Sequence, residues 1–359
     1  MKPTQKLHDL GQSLWQDNIT RDMLDDGTLE GYVRNLCVTG LTSNPTIFDK
    51  AITAGHAYDE QISELRDQGR EPEEVFFELA LSDLRRAADL FKEAHERTAG
   101  VDGWVSMEVS PTLAYDTKAT IKQAAELHAR GDRPNLYIKI PGTEAGLPAI
   151  EESIYVGIPI NVTLLFDAKQ YLAAANAYLR GLERRIEAGL RPDVPSVASI
   201  FMSRWDVAVA DEVPAELKNR LGIAIGKQAY AAYRELLDSG RMQRLQNEGA
   251  RPQRLLFAST GTKDPEASDV HYIEAFAAPF TINTMPDKTL LAFEDHGEVT
   301  DPLPADGGDA EKVLNQFESA GIGVKQLAAR LQQEGADAFV KSWNDLIGSI
   351  SREAEKLAG

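Results

Sequence analysis

Eight short β-prone runs alternate with helical segments, and most polar residues that interrupt the apolar pattern stand at the carboxyl ends of those runs. Together these predict an α/β chain, a (β/α)8 TIM barrel with additional terminal helices. A length of 359 residues suits such a barrel as one unit, because α/β barrels often run past about 250 residues. The expected division is a barrel over 1–293, an acidic loop containing Gly and Pro over 294–312, and C-terminal helices over 313–359 packed on the barrel.

Composition narrows the function classes. The hydrophobic fraction of 43% is that of a globular protein. No apolar stretch approaches the roughly 18 residues that span a bilayer. MKPTQKLHDLGQSLW has no apolar core of the kind a signal peptide carries, so the expectation is a cytoplasmic protein. The formal charge of −18 argues against nucleic-acid or anionic-membrane partners, which need clustered Lys and Arg. It leaves room for a small anion, which needs only two or three well-placed donors. The single cysteine, Cys37 in NLCVTG, reads as part of a buried strand, with a reactive thiol as the rarer alternative. The six histidines are scattered without an H-x-H or H-x-x-x-H pair, so no metal is expected.

The elements follow in order. SLWQD (13–17) is the first strand and ends in Asp17, a residue type that commonly closes turns or caps helices after a strand. ITRDMLDDGTLEGYV reads as a polar connection. LCVTGLTSNPTIF holds the second strand, with Asn44-Pro45 forcing an extended turn. Asn44 either bonds a ligand hydroxyl or closes an Asx turn. From Asp59 to Thr98 the pattern is helical, broken near 69–72, with Phe76, Leu79, Ala80, Ala87, Leu90, Phe91 and Ala94 as a buried stripe.

WVSMEVSP (104–111) is the third strand, and Glu108 near its end is costly among apolar neighbours unless paired or protonated. Asp116 caps the next helix, whose expected inner face carries Ile121, Ala124, Ala125 and His128, with Gly131 as the stop. NLYIKIPGTE then places Lys139 inside an apolar strand that Pro141-Gly142 ends, with Thr143 able to cap the helix after it. At the carboxyl end of a barrel strand such a side chain faces the mouth, where loss of water favours a neutral, nucleophilic amine. The alternatives are a Schiff-base lysine and a lysine that snorkels to the strand end.

GIPINVTLLFD is the fifth strand, with Asn161 and Thr163 as polar insertions, and Asp167 caps the following helix to Gly189. PSVASIFMSRWD (195–206) is the sixth and delivers Ser199, Phe201, Ser203 and Arg204; a guanidinium beside hydroxyls suits a phosphate, and a solvent salt bridge is the competing role for Arg204. RLLFASTGTKDP is the seventh, after which Gly261 allows close approach and Lys263 adds charge. PFTINTMP (279–286) is the eighth. The 294–312 loop is a candidate lid, followed by helices through VLNQFESAGI and ADAFVKSWNDLIGSISREAEKLA, the last with Phe339, Trp343, Ile347 and Ile350 on one stripe.

An iminium-forming lysine needs an acid/base, a relay for water, and donors for hydroxyls and phosphate; the strand ends offer all of these. TSNPTIF with Asn44, the strand ending at Glu108, YIKIPGTEAG with Lys139, NVTLLFD with Asn161 and Thr163, and the stretch from Ser199 to Arg204 resemble the transaldolase family over nearly the whole chain. The resemblance implies a class I Schiff-base enzyme of the pentose phosphate pathway. It would move a dihydroxyacetone unit from sedoheptulose 7-phosphate to glyceraldehyde 3-phosphate, giving erythrose 4-phosphate and fructose 6-phosphate, with no cofactor or metal. By the same resemblance, Lys139 is the nucleophile, Asp17 the general acid/base, and Glu108 and Thr163 hold the catalytic water. Asn44 and Asn161 bind hydroxyls and the intermediate, Phe201 belongs to the substrate site, and Ser199 and Arg204 match the phosphate site. Many members carry an arginine soon after Ala-Ser, whereas this chain reads ASTGTK, which makes Lys263 the replacement. The long acidic insertion and tail resemble the longer bacterial type, with a monomer or homodimer expected. The alternatives are a fructose-6-phosphate aldolase-like enzyme and a non-catalytic phospho-sugar-binding barrel.

Overall fold

The computed structural model describes residues 2–358. Its eight strands are β1 (Ser13–Gln16), β2 (Val38–Leu41), β3 (Val105–Glu108), β4 (Leu136–Pro141), β5 (Ile160–Leu165), β6 (Ser196–Phe201), β7 (Arg254–Ala258) and β8 (Ile282–Met285). All pair in parallel, in the order β2-β1-β8-β7-β6-β5-β4-β3. The last seam closes where Gly40 of β2 bridges Trp104 ahead of β3: the Leu41 amide donates to the Trp104 carbonyl at 2.9 Å and the Gly103 amide to the Thr39 carbonyl at 2.8 Å. The predicted (β/α)8 barrel is therefore present, with helices around it and further helices at both ends.

Before β2 lie α1 (Pro3–Asp9), α2 (Arg21–Asp25) and α3 (Thr28–Asn35); between β2 and β3 lie α4 (Pro45–Ala54), α5 (Asp59–Asp67) and α6 (Pro72–Arg97). ITRDMLDDGTLEGYV is thus two short helices and not a connection, the first started by Thr20, whose hydroxyl accepts the Met23 amide at 3.2 Å. The Asn44-Pro45 turn likewise opens a helix. Cys37 corrects a second expectation: it precedes β2 in a left-handed conformation (φ 57) and is only partly covered.

From β3 onward strand and helix alternate: α7 (Thr117–Gly131), α8 (Gly146–Val156), α9 (Ala168–Glu187), α10 (Ser203–Val209), α11 (Leu221–Asp238), α12 (Gly240–Asn247), α13 (His271–Ala275) and α14 (Asp287–His296). Asp116 and Asp167 cap α7 and α9 as expected, through the Ala119 and Gln170 amides. The inner face of α7 is rotated from the expected one: Thr120, Ala124 and Leu127 are buried and Ala125 is exposed. Thr143 accepts the Gly146 amide at 3.1 Å at the head of α8.

The amino-terminal end of the barrel is plugged. Asp102, 5% exposed, accepts hydrogen bonds from Ser13, from Thr39 at 2.7 Å and from the Trp15 indole at 2.9 Å, and Trp104 stacks on Tyr137 at 4.1 Å. A satisfied carboxylate with aromatic layers above it closes the interior of the barrel from this end.

Residues 297–309 form the irregular part of the acidic segment, bounded by α14 and α15 (Ala310–Ser319). Leu303 bonds the Ala277 carbonyl at 2.8 Å and Asp309 pairs with Lys227 of α11 at 2.6 Å, so the segment is tied to the outer layer. The helix that crosses the carboxyl-terminal mouth is α16 (Val324–Lys356), longer than its predicted part. Its Gln332 donates to the carbonyls of Leu164 at 2.9 Å and Gly142 at 3.1 Å.

Candidate active site

At the mouth is a cleft of about 400 Å³ walled by residues from seven strand ends, α4, α10 and α16. Lys139 forms its floor and is 6% exposed. Strand register explains its neighbours: Glu108 of β3 lies opposite Lys139 of β4, which lies opposite Asn161 of β5. The Lys139 ammonium donates to Glu108 Oε2 at 3.1 Å and to the Ser43 carbonyl at 2.9 Å. A purely snorkelling lysine would hold its nitrogen in solvent; this one keeps it inside.

Glu108 is 5% exposed, and burial pushes its carboxyl above the usual range against the pull of Lys139. Among the described residues its Oε1 has no partner, and neither does the hydroxyl of Thr163, a residue that lines the cleft from β5. Both are available to a bound hydroxyl or solvent. A bulge directly after Thr163, with Leu164 in a left-handed conformation (φ 58), shifts the register against β6.

Asp17 extends from β1 into the cleft. Its Oδ1 accepts from the Thr42 hydroxyl at 2.8 Å, and that hydroxyl also meets Thr284 of β8 at 2.8 Å. Burial pushes the Asp17 carboxyl up, while Lys139 foremost, then Thr42 and Lys263, pull it down. The carboxylate caps no helix, contrary to the commonest role of that residue type after a strand. Asn44 combines both of its sequence readings: Oδ1 accepts the Ile47 amide at 3.2 Å, capping α4, and the residue lines the cleft.

Ser199 and Phe201 of β6 also line the cleft. Asn161 does not: it is fully buried beneath, its amide donating to Ser106 at 3.2 Å and its oxygen accepting from Ser199 at 2.7 Å. Arg204, at the start of α10, lies with its guanidinium over the rings of Phe201 at 5.1 Å and Phe339 at 5.7 Å. Burial lowers its pKa, and among the described residues it makes no ion pair or hydrogen bond. Lys263 and Lys50 complete the cationic rim.

Sequence reasoning missed Thr42, Lys50, Thr284 and Phe339. Thr42 stands inside LTSNPT and was within reach of it, whereas Phe339 reads as one more core residue of an amphipathic helix. A larger hollow of about 910 Å³ sits at the plugged end. Its Arg251 is paired with Asp193 at 2.6 Å, its Arg254 bonds Ser13 at 2.7 Å, and its Arg234 donates to the Tyr230 hydroxyl at 3.2 Å; no lysine lines it.

A buried amine bonded to one carboxylate, a second carboxylate held by a threonine hydroxyl, and an uncommitted guanidinium at the rim can condense with a carbonyl, move a proton and hold an anion. Comparison with known proteins agrees with that chemistry. The family model described as Transaldolase/Fructose-6-phosphate aldolase matches residues 14–350. The chain is 42% identical over 353 residues to a transaldolase of Mycolicibacterium paratuberculosis, covering 96% of this chain and 95% of that one. It is 43% identical over 360 residues to a transaldolase of Thermobifida fusca, covering 98% of each. A transaldolase 2 of Streptomyces coelicolor is 41% identical over 363 residues, with 98% and 97% covered.

Proposed function

The chain belongs to the transaldolase/fructose-6-phosphate aldolase family, and from that premise we propose a transaldolase reaction run through a Schiff base on Lys139. It is a transferase, moving a dihydroxyacetone unit from sedoheptulose 7-phosphate to glyceraldehyde 3-phosphate and so working within the pentose phosphate pathway. The observation that carries the mechanism is the Lys139 nitrogen, enclosed at the floor of the cleft 3.1 Å from Glu108 and beneath a rim with an unpaired arginine.

The neutral amine adds to the ketose carbonyl, and loss of water gives the iminium, with Glu108 and Thr163 holding the water that leaves and returns. Asp17 takes the proton of the hydroxyl on the departing carbon. The carbon-carbon bond then breaks into the iminium, releasing the aldose phosphate and leaving an enamine. The enamine attacks the acceptor aldehyde, which is protonated by Asp17, and water frees the new ketose. Asn44 binds substrate hydroxyls. Asn161 acts from below by fixing Ser199, a modification of its expected direct role. Arg204, with Ser199, Phe201 and Lys263, takes the phosphate end.

Borohydride reduction with fructose 6-phosphate tests this. A single mass adduct on Lys139 is expected, lost in Lys139→Ala; an adduct that survives that substitution defeats the reading. Lys139→Arg should abolish turnover, because a guanidinium stays protonated. The family description also covers aldolases, which release the three-carbon unit to water. Faster turnover on adding an aldose phosphate supports transfer over release, and the transaldolase names of the relatives favour the same outcome.

The remaining parts of the reading concern the whole protein. The barrel is read as the catalytic unit, residues 297–309 as the connection and α15 and α16 as the closing helices, so the expected bounds at 294 and 312 move to the ends of the flanking helices. No helix of the described residues is long and apolar enough to cross a membrane; the cytoplasmic location is proposed from the metabolic family alone. A monomer or homodimer is expected by light scattering.

A further inference from the structure

We infer that α16 is a working wall of the phosphate site: Gly335 and Phe339 position the Arg204 guanidinium, and so set the preference for phosphorylated over unphosphorylated sugars. The inference rests on the reading that Arg204 takes the phosphate.

Three residues on one face of α16, at steps of three and four, meet the barrel around Arg204. Gln332 anchors the helix to the carbonyls of Leu164 and Gly142. At Gly335 a methyl group would come within 3.0 Å of Arg204 Nη1 and 3.0 Å of Leu164 Cδ2. Glycine is a poor residue for the middle of a 33-residue helix, and here it lets the helix backbone settle against the guanidinium. One turn on, Phe339 adds its ring over the cation at 5.7 Å, complementing Phe201 at 5.1 Å; the two rings are 6.3 Å apart.

An arginine side chain has many rotamers, and no carboxylate of the described residues fixes this one. Contact with the rings consumes no N–H donor, and those of Arg204 make no hydrogen bond among the described residues, whereas phosphate recognition uses these donors. The two interactions are therefore compatible in one geometry. Lys50 and Lys263 are exposed, and supply charge without that directional fork. Phe339 is partly exposed, so its replacement leaves the fold with little cavity to absorb.

The test uses the full chain with fructose 6-phosphate as donor and erythrose 4-phosphate or erythrose as acceptor. Phe339→Leu should raise KM for erythrose 4-phosphate about tenfold with much less change in kcat. The ratio of kcat/KM for erythrose 4-phosphate to that for erythrose should fall about tenfold, and Phe339→Tyr should restore most of it. Gly335→Ala should lower the same ratio by displacing Nη1. Inhibition by inorganic phosphate should weaken in parallel in Phe339→Leu and Gly335→Ala. An unchanged ratio, or equal losses with both acceptors, overturns the inference. Arg204→Gln separates the two readings: if it lowers the ratio while Phe339→Leu and Gly335→Ala do not, only the role of α16 falls. If Arg204→Gln leaves the ratio unchanged, the phosphate assignment falls with it. Absence of a borohydride adduct in the unsubstituted protein would instead defeat the Schiff-base reading.

Discussion

Asp17 and Glu108 share one ammonium, and the protein bears a cost for keeping both carboxyls near it. Burial raises both, and Lys139 is the foremost opposing influence on each. For Asp17 the consequence for stability has a definite sign. Its folded pKa lies above the ordinary carboxylate value of about 4, so below that value both folded and unfolded chains hold the proton. As pH rises from there through the folded value, the unfolded chain releases its proton more readily, and stability is lost. Asp17→Asn should therefore raise Tm at pH 7 to 8, with the gain shrinking toward pH 4, while turnover falls by about 10² to 10⁴. Parallel Tm curves for the two proteins across that range would remove the burial argument. The same logic explains what could be read at this scale. Lys139 and Glu108 stand out in the sequence because charge inside an apolar run demands a partner. Asn161 stands out equally, but alternation along a strand reveals the face a side chain takes and not its depth, and it lies beneath the cleft. Phe339 carries no signal, since an apolar residue in an amphipathic helix is expected to be core.

Strands were more legible than short helices, for a physical reason. The strands show as short, mostly apolar runs spaced between longer helical patterns, whereas α2 and α4 are started by local caps, Thr20 on the Met23 amide and Asn44 on the Ile47 amide. The acidic stretch had the composition of a lid, yet its bonds to Ala277 and Lys227 hold it to the outer layer; composition says that a segment is irregular, not where it lies. Barrel closure depends equally on an unobtrusive residue. Gly40 bridges β2 to Trp104, and a methyl there would lie 2.6 Å from the Trp15 indole nitrogen and 2.7 Å from the Trp104 carbonyl. Neither neighbour can easily yield, because the indole is bonded to buried Asp102. Gly40→Ala should cost about 1–3 kcal/mol, seen as a Tm lowered by several degrees in a thermal melt. It should also weaken turnover, since Thr42, Ser43 and Asn44 follow directly. A variant with unchanged Tm would show that the seam tolerates widening.

At the scale of the molecule, α16 joins two regions that the sequence left unconnected. The stripe of Phe339 and Trp343 was visible, but the surface that receives a stripe is a tertiary property, and here it is the mouth of the barrel together with α6. Trp343 is 3% exposed and meets Phe76 at 5.0 Å edge to face and Phe77 at 5.6 Å. Phe76 in turn meets Phe48 of α4 at 5.4 Å, so this aromatic cluster ties the helix to the segment that Asn44 caps. Farther along, Leu346 and Ile350 are fully buried, and Arg66 of α5 donates to the Ala354 carbonyl at 3.0 Å. The substrate wall at 332–339 is thus held in place by contacts about one to four turns beyond it. Trp343→Ala removes the largest side chain of that packing and should cost about 3–5 kcal/mol in chemical denaturation. The loss should be uneven. Hydrogen exchange in 324–356 should accelerate well beyond that of β4 and β5, because strand amides are protected by the barrel ladder whether or not the helix stays docked. KM for phosphorylated substrates should rise alongside, since an undocked helix no longer presents Phe339 to Arg204. Exchange that accelerates equally in strands and α16 would mean that helix and barrel open only as one unit, and that the mouth has no separately opening wall.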